Sequence, residues 1–163
     1  MEGPVIRTNL AIFALLFTFG ARWAGAADPV RKPVIVCSTT QIADFARQVG
    51  GDRLVVKCIL APGADPHTYQ PTPRDAQMTA EADLCLQNGF HLEGKNWMSV
   101  LAQDAGKPIV TCTEGIQPLQ LQVGSETVND PHSWFSPRNA AVYVNNVVRA
   151  LTQLDAGGKS EFE

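Results

Sequence analysis

The sequence predicts an α/β fold, an open parallel four-stranded sheet with flanking helices. Two observations carry that expectation. Four short apolar runs recur along the chain, separated by stretches with helical periodicity, and glycine or proline marks most of the joins. Strands that alternate with helices pair in parallel and cross over right-handedly. The 163 residues are 45% hydrophobic and 18% charged, with net charge −3, which excludes a disordered chain and offers no basic surface to nucleic acid.

The elements follow in order. "PVIVCST" (33–39) is an apolar run behind a proline and reads as a buried strand. In "TQIADFARQVGG", Ile42, Phe45, Ala46 and Val49 share one helical face, and Gly50-Gly51 stops the helix. "RLVVKCIL" (53–60) is the second strand. Thr72-Pro73-Arg74-Asp75 then opens a helix: Thr72 suits the cap, Pro73 the first turn, and Asp75 the positive end of the dipole. That helix is expected to run to about Ala82. "DLCLQNG" (83–89) is the third strand with its turn, and "KNWMSVLAQDAGK" is a helix with Trp97, Val100 and Leu101 inward. "PIVTC" (108–112) is the fourth strand. After irregular sequence, Ser136-Pro137 opens a last long helix to about Leu154, with Ala141, Val144, Val148 and Leu151 on its apolar face. Gly157-Gly158 breaks it, and "SEFE" begins something further.

The first segment is of another kind. Arg7 precedes an apolar run from Leu10 to Gly20, and Ala24-Gly25-Ala26 supplies a small-x-small cleavage pattern. These are the parts of a secretory signal peptide, expected over residues 1–26, with 27–32 as a linker and 33–163 as the folded lobe. The run is shorter than the roughly twenty apolar residues a membrane span needs. The first cysteine is Cys37, inside a strand rather than at the cleavage site, so a soluble exported protein is expected, periplasmic in a Gram-negative host. Cys37, Cys58, Cys85 and Cys112 each fall in a different expected strand, which favours small buried thiols and leaves one bridge between neighbouring strands open.

Asp65-Pro66-His67 returns as Asp130-Pro131-His132 in a chain with only three histidines. Proline fixes its own φ and keeps the preceding residue extended, so each histidine arrives on an ordered backbone. Binding sites of open parallel sheets lie beyond the carboxyl ends of the strands. His67 follows the second strand, His91 the third and His132 the fourth, so all three project from that edge. A metal-ligating imidazole has its ring set by a bond from its other nitrogen. Asp65 and Asp130 could accept that bond, or could fix the loop as an Asx turn. Tyr69 and Trp134, two places beyond each histidine, could shield a ligand or simply pack in the core. His91 alone reads as a loop histidine bonded to backbone, and Glu93 as a solvated or helix-start charge.

"CSTTQIADFARQVGGDR", "APGADPHTYQPTPRD", "NGFHLEGK" and "NDPHSWFSPRNA" resemble the signature segments of the zinc and manganese solute-binding proteins of bacterial ABC transporters. The resemblance runs from about Pro33 to the end. It implies one lobe of a two-lobed solute-binding protein, cut before the connecting helix and second lobe. It further implies His67 and His132 as metal ligands, with the remaining ligands in the second lobe, and does not extend to His91. Its implied function is high-affinity periplasmic capture of zinc or manganese for an ABC permease, by a protein monomeric at full length. Zinc members often carry a histidine-rich loop before the second tripeptide. Here "QPLQLQVGSETVN" has none, which tilts toward manganese or a dual-metal carrier. Two imidazoles are too few for zinc, which takes four ligands or three and water. Because the ligands bind unprotonated, affinity is expected to fall as pH drops through about 6.5. The rival readings are surface adhesion, as for some family relatives, and an exported metal-dependent hydrolase. Without an HExxH or G-x-S-x-G motif, binding rather than catalysis is expected.

Overall fold

The computed structural model describes Met1 and residues 31–163; the expected signal peptide and most of its linker lie outside the described residues. Within 31–163, β1 (Val34–Cys37), β2 (Val55–Cys58), β3 (Leu84–Gln87) and β4 (Ile109–Thr111) form one parallel sheet in the order β2-β1-β3-β4. The helices are α1 (Thr40–Gly50), α2 (Pro73–Ala80), α3 (Trp97–Asp104), α4 (Pro137–Leu154) and the short α5 (Lys159–Phe162). The four parallel strands and their flanking helices match the expected fold class.

Side-chain alternation explains why the sheet is covered on both faces. Ile35, Cys37, Leu84 and Leu86 pack with Ile42, Ala46, Tyr143, Val147 and Leu151, the layer of α1 and α4. Val36 and Cys85 point the other way, into Trp97, Met98, Leu101 and Ala102 of α3. A strand buried on both faces reads as a continuous apolar run, as β1 does. Gly51 ends α1 at φ +47°, a conformation that favours glycine, and its N–H caps Arg47. Pro73 opens α2, and the Asp75 carboxylate accepts hydrogen bonds from the Thr72 N–H (2.7 Å) and hydroxyl (2.8 Å).

Several expectations are corrected. Residues 120–129 are a hairpin, β5 (Gln120–Val123) and β6 (Glu126–Asn129), with Gly124-Ser125 as a two-residue turn. Val100 is 49% exposed, and Met98 and Ala102 point inward in its place. The buried face of α4 is Tyr143, Asn146, Val147, Ala150 and Leu151; Ala141 is exposed, and Val144 and Val148 are half-buried. Two polar residues turn the helix this way because each finds partners inside. Tyr143 donates to the Asn88 side chain, and Asn146 donates to the carbonyls of Cys112 (2.8 Å) and Glu114 (2.9 Å). The "SEFE" segment is α5, whose Phe162 closes the core beside Gly158. Arg53 ties this end down through Asp155 (2.8 Å) and Glu161 (2.8 Å).

All four cysteines are free thiols. Cys37 and Cys58 stand opposite each other in the β1–β2 register, and Cys112 lies one residue past β4. Burial pushes the thiols of Cys37 and Cys112 well up and that of Cys85 to about 11, so they behave as small apolar side chains.

Candidate metal centre

The strand order makes β1 and β3 the pair at which the chain changes direction, and their carboxyl ends open the crevice where such sheets bind ligands. β2 and β4 are the two edges. The loops leaving those edges reach inward over the crevice, and they bring the two tripeptides together. The Nε2 atoms of His67 and His132 stand 3.4 Å apart, with ring centroids at 5.5 Å in an edge arrangement.

The two aspartates divide the roles that sequence left open. Asp130 Oδ1 accepts from both the His132 backbone N–H (2.9 Å) and the ring Nδ1–H (2.8 Å). That bond holds the Nδ1–H tautomer and leaves the Nε2 lone pair facing His67. Asp65 makes only the turn: it accepts from the His67 N–H (2.9 Å) and the Thr68 hydroxyl (2.9 Å), not from the ring. These donors lower both carboxyls from the usual range, the histidine backbone N–H being the main cause in each. The aromatic neighbours divide as well. Trp134 meets the His132 ring edge-on at 5.4 Å, whereas Tyr69 packs on Trp97 at 5.2 Å and donates to Asp75 (2.8 Å). Burial, with that bond second, raises the Tyr69 phenol to about 12.

Between the two loops runs the segment Asn88–Trp97, which touches both. Asn88 Nδ2 donates to the Pro131 carbonyl (3.0 Å), and Trp97 Nε1 donates to the Pro66 carbonyl (3.0 Å). Gly94, at φ +50°, lies so close to the His67 carbonyl that a Cβ there would collide with it. The expectation for Glu93 is overturned: it is 2% exposed and is the anchor of the segment. Its carboxylate accepts from the Ser38 hydroxyl (2.7 Å) and from the N–H groups of Asn88 (2.6 Å) and Gly89 (3.1 Å). It thereby joins the carboxyl ends of β1 and β3 at the crevice. Sequence reasoning missed Glu93, Asn88, Ser38 and Tyr143 as site-builders; the one available signal was the ionisable Glu93 set between Leu92 and Gly94.

His91 also projects from this edge. Its backbone carbonyl accepts from Gly94 (3.1 Å), while its ring makes no hydrogen bond with a described residue. Among the described residues, no group of three or more His, Cys, Asp and Glu side chains stands ready to hold a metal ion. A cavity of about 540 Å³ borders His67 and His91. A slightly larger one, about 600 Å³, lies near Arg47, Arg74 and Met78 and contains no histidine, and a small one of about 120 Å³ borders Asp130 and His132.

The sheet and the sequence together are those of a known family. The model of the periplasmic component A of zinc-uptake complexes matches residues 35–163, and the chain belongs to that family. The iron-binding protein YfeA of Yersinia pestis is 37% identical over 157 residues, 95% of this chain and 50% of its own length. The manganese ABC transporter substrate-binding lipoprotein PsaA of Streptococcus anginosus is 30% identical, covering 96% and 53%. Among solved structures, the manganese-bound periplasmic metal binding protein from Candidatus Liberibacter asiaticus superimposes with TM-score 0.72 at 33% identity, covering 80% of this chain and 49% of that one. The periplasmic zinc binding protein TroA from Treponema pallidum gives TM-score 0.72 at 31% identity, covering 81% and 48%. The chain thus spans about half the length of the relatives it matches.

Proposed function

We propose that residues 33–163 are the amino-terminal gripping lobe of an exported protein that captures a divalent transition metal and passes it to an ABC permease. His67 and His132 are the ligands, Asp130 sets the His132 ring, and Asp65 sets the His67 loop. Residues 1–26 act as a removable signal and 27–32 as a linker, delivering a soluble periplasmic protein that is monomeric at full length. The reading is of binding rather than turnover, and it involves no nucleic acid.

One observation carries it. In a tetrahedral zinc site with Zn–N near 2.0–2.1 Å, two nitrogens stand about 3.4 Å apart. The Nε2 atoms of His67 and His132 have that spacing, and the Asp130 bond leaves a lone pair on His132 Nε2. The remaining ligands come from water or from a second lobe of the kind the relatives' length accommodates. The relatives' names span iron, manganese and zinc, so imidazole pairing fits the class of ion rather than one member.

Calorimetric titration of the chain with zinc, manganese and ferrous iron tests the proposal. His67→Ala should abolish measurable binding of whichever ion the unaltered chain takes, and His132→Ala should weaken it sharply. Unchanged affinity in either variant would refute the assignment.

A further inference from the structure

His91 is the histidine to which the paired site gives no task. It sits in a turn held at unusual backbone angles, φ +61° at His91 and +51° at Phe90, which non-glycine residues rarely adopt. Such a conformation persists only where the surroundings enforce it. Here they do: Glu93 holds Asn88 and Gly89, Leu92 N–H bonds the Gly89 carbonyl (3.1 Å), and Gly94 N–H bonds the His91 carbonyl (3.1 Å). Gly94 in turn abuts the His67 carbonyl. The position of His91 relative to His67 is therefore built into the fold rather than left to a loose loop.

Both residues border one open cavity of about 540 Å³, together with Phe90 and residues 127–129 of the hairpin. The His91 ring is exposed and makes no hydrogen bond, ion pair or stacking contact with a described residue. The His67 ring differs from that of His132 in one respect. Its Nε2 faces His132, but its Nδ1 bonds nothing described, so no partner fixes its tautomer. Either nitrogen of His67 can offer its lone pair, whereas His132 is committed to Nε2.

We propose that His91 and His67 form a landing site for the incoming metal ion, preceding the His67–His132 pair. The ion first takes the two imidazoles, with water completing its shell, in the cavity beside the hairpin. His132 then displaces His91 while His67 keeps hold of the ion. This is ligand exchange alone and needs no co-reactant. The three imidazoles do not form one closed group, so the landing site shares a ligand with the inner pair and does not enlarge it. The inference rests on the metal-capture reading above.

The test is zinc chloride titrated into His132→Ala, which keeps the landing pair and lacks the inner one, beside the same titration of the unaltered chain, with the imidazole ring signals followed by nitrogen–proton NMR. In His132→Ala, shifts at His67 and His91 together are expected; in the unaltered chain the ion settles on the inner pair, so His67 and His132 dominate. His67 and His132 shifting in the unaltered chain while His91 stays still in His132→Ala would overturn the landing site and leave metal capture intact. No movement at any histidine in either chain would overturn both. In parallel, His91→Asn keeps a residue that tolerates left-handed backbone. Stopped-flow mixing with zinc should then show association and dissociation both slowed severalfold, with the dissociation constant unchanged. Unchanged rates in that variant would also overturn the proposal.

Discussion

The two Asp-Pro-His loops share a turn and a support, and they differ in what holds the ring. Each aspartate accepts from its histidine N–H, and each proline carbonyl accepts from segment 88–97. The second is tied to its own ring: Asp130 holds both the backbone and the Nδ1–H of His132, and Trp134 lies against the imidazole. The first is tied to its surroundings: Asp65 closes only the turn, while Trp97 and Gly94 fix the backbone from outside and the His67 ring stays unbonded at Nδ1. One loop therefore presents a ligand with its tautomer set, and the other a ligand whose tautomer no described residue sets. A tripeptide specifies the path of the backbone into a histidine, and the neighbours specify what the ring does.

Removing the common support should affect both loops at once. Glu93→Ala leaves the buried Ser38 hydroxyl and the N–H groups of Asn88 and Gly89 without their acceptor. Buried donors stranded in this way cost about 1–3 kcal/mol each where water cannot replace the partner. A loss of about 3 kcal/mol or more is expected, read from urea unfolding monitored by circular dichroism. An unfolding midpoint close to that of the unaltered chain would mean the segment 88–97 does not depend on its anchor.

The asymmetry between the loops predicts an asymmetry between two otherwise identical substitutions. Asp130→Ala removes the oxygen that holds both the backbone N–H and the ring Nδ1–H of His132 and should lower metal affinity about 10–100-fold, the usual penalty for losing the partner of a ligating histidine. Asp65→Ala removes only the acceptors of the turn, and the His67 ring has no bond to lose, so its effect on affinity should be smaller. Calorimetric titration of both variants decides the matter; equal losses would mean the geometric difference has no energetic counterpart.

Much of this arrangement was legible in the sequence. The sheet announces itself because β1 and β3 are buried on both faces, which leaves unbroken apolar runs such as Val34-Ile35-Val36. The histidines announce themselves by recurring behind the same dipeptide at strand ends. What stayed hidden depended on partners distant in sequence. Tyr143 and Asn146 look like surface residues, yet both are buried because Asn88, Cys112 and Glu114 receive them, and this turned α4 off its predicted face. Glu93 looks solvated because nothing nearby reveals Ser38, 55 positions earlier. The hairpin at 120–129 escaped although Leu119, Leu121 and Val123 alternate with glutamines ahead of Gly124-Ser125; every residue of both strands is exposed, so no burial stands behind the pattern.

Acid separates the site from the scaffold, with the smallest effect on the loops themselves. Asp65 and Asp130 both have folded pKa values lowered by the donors they face. A carboxylate of this kind contributes stability that is fully present above its unfolded pKa, about 3.9, and is lost as pH falls through its folded value. Between pH 7 and about pH 5 the two loops should therefore keep their turns. Metal binding should fail earlier, because an imidazole ligates a metal only in its unprotonated form and protons compete for the same lone pair. At pH 5 the chain should be folded but largely metal-free, and only below about pH 4 should the turns begin to weaken as Asp65 and Asp130 take up protons. Thermal melts with and without zinc at pH 7, 5 and 3.5 distinguish the two windows. A zinc-dependent rise in melting temperature at pH 7 that vanishes at pH 5, with the apo melting temperature little changed between them, is the expected pattern. Loss of the fold and of zinc together at pH 5 would place the acid-sensitive group in the scaffold instead of the ligand pair.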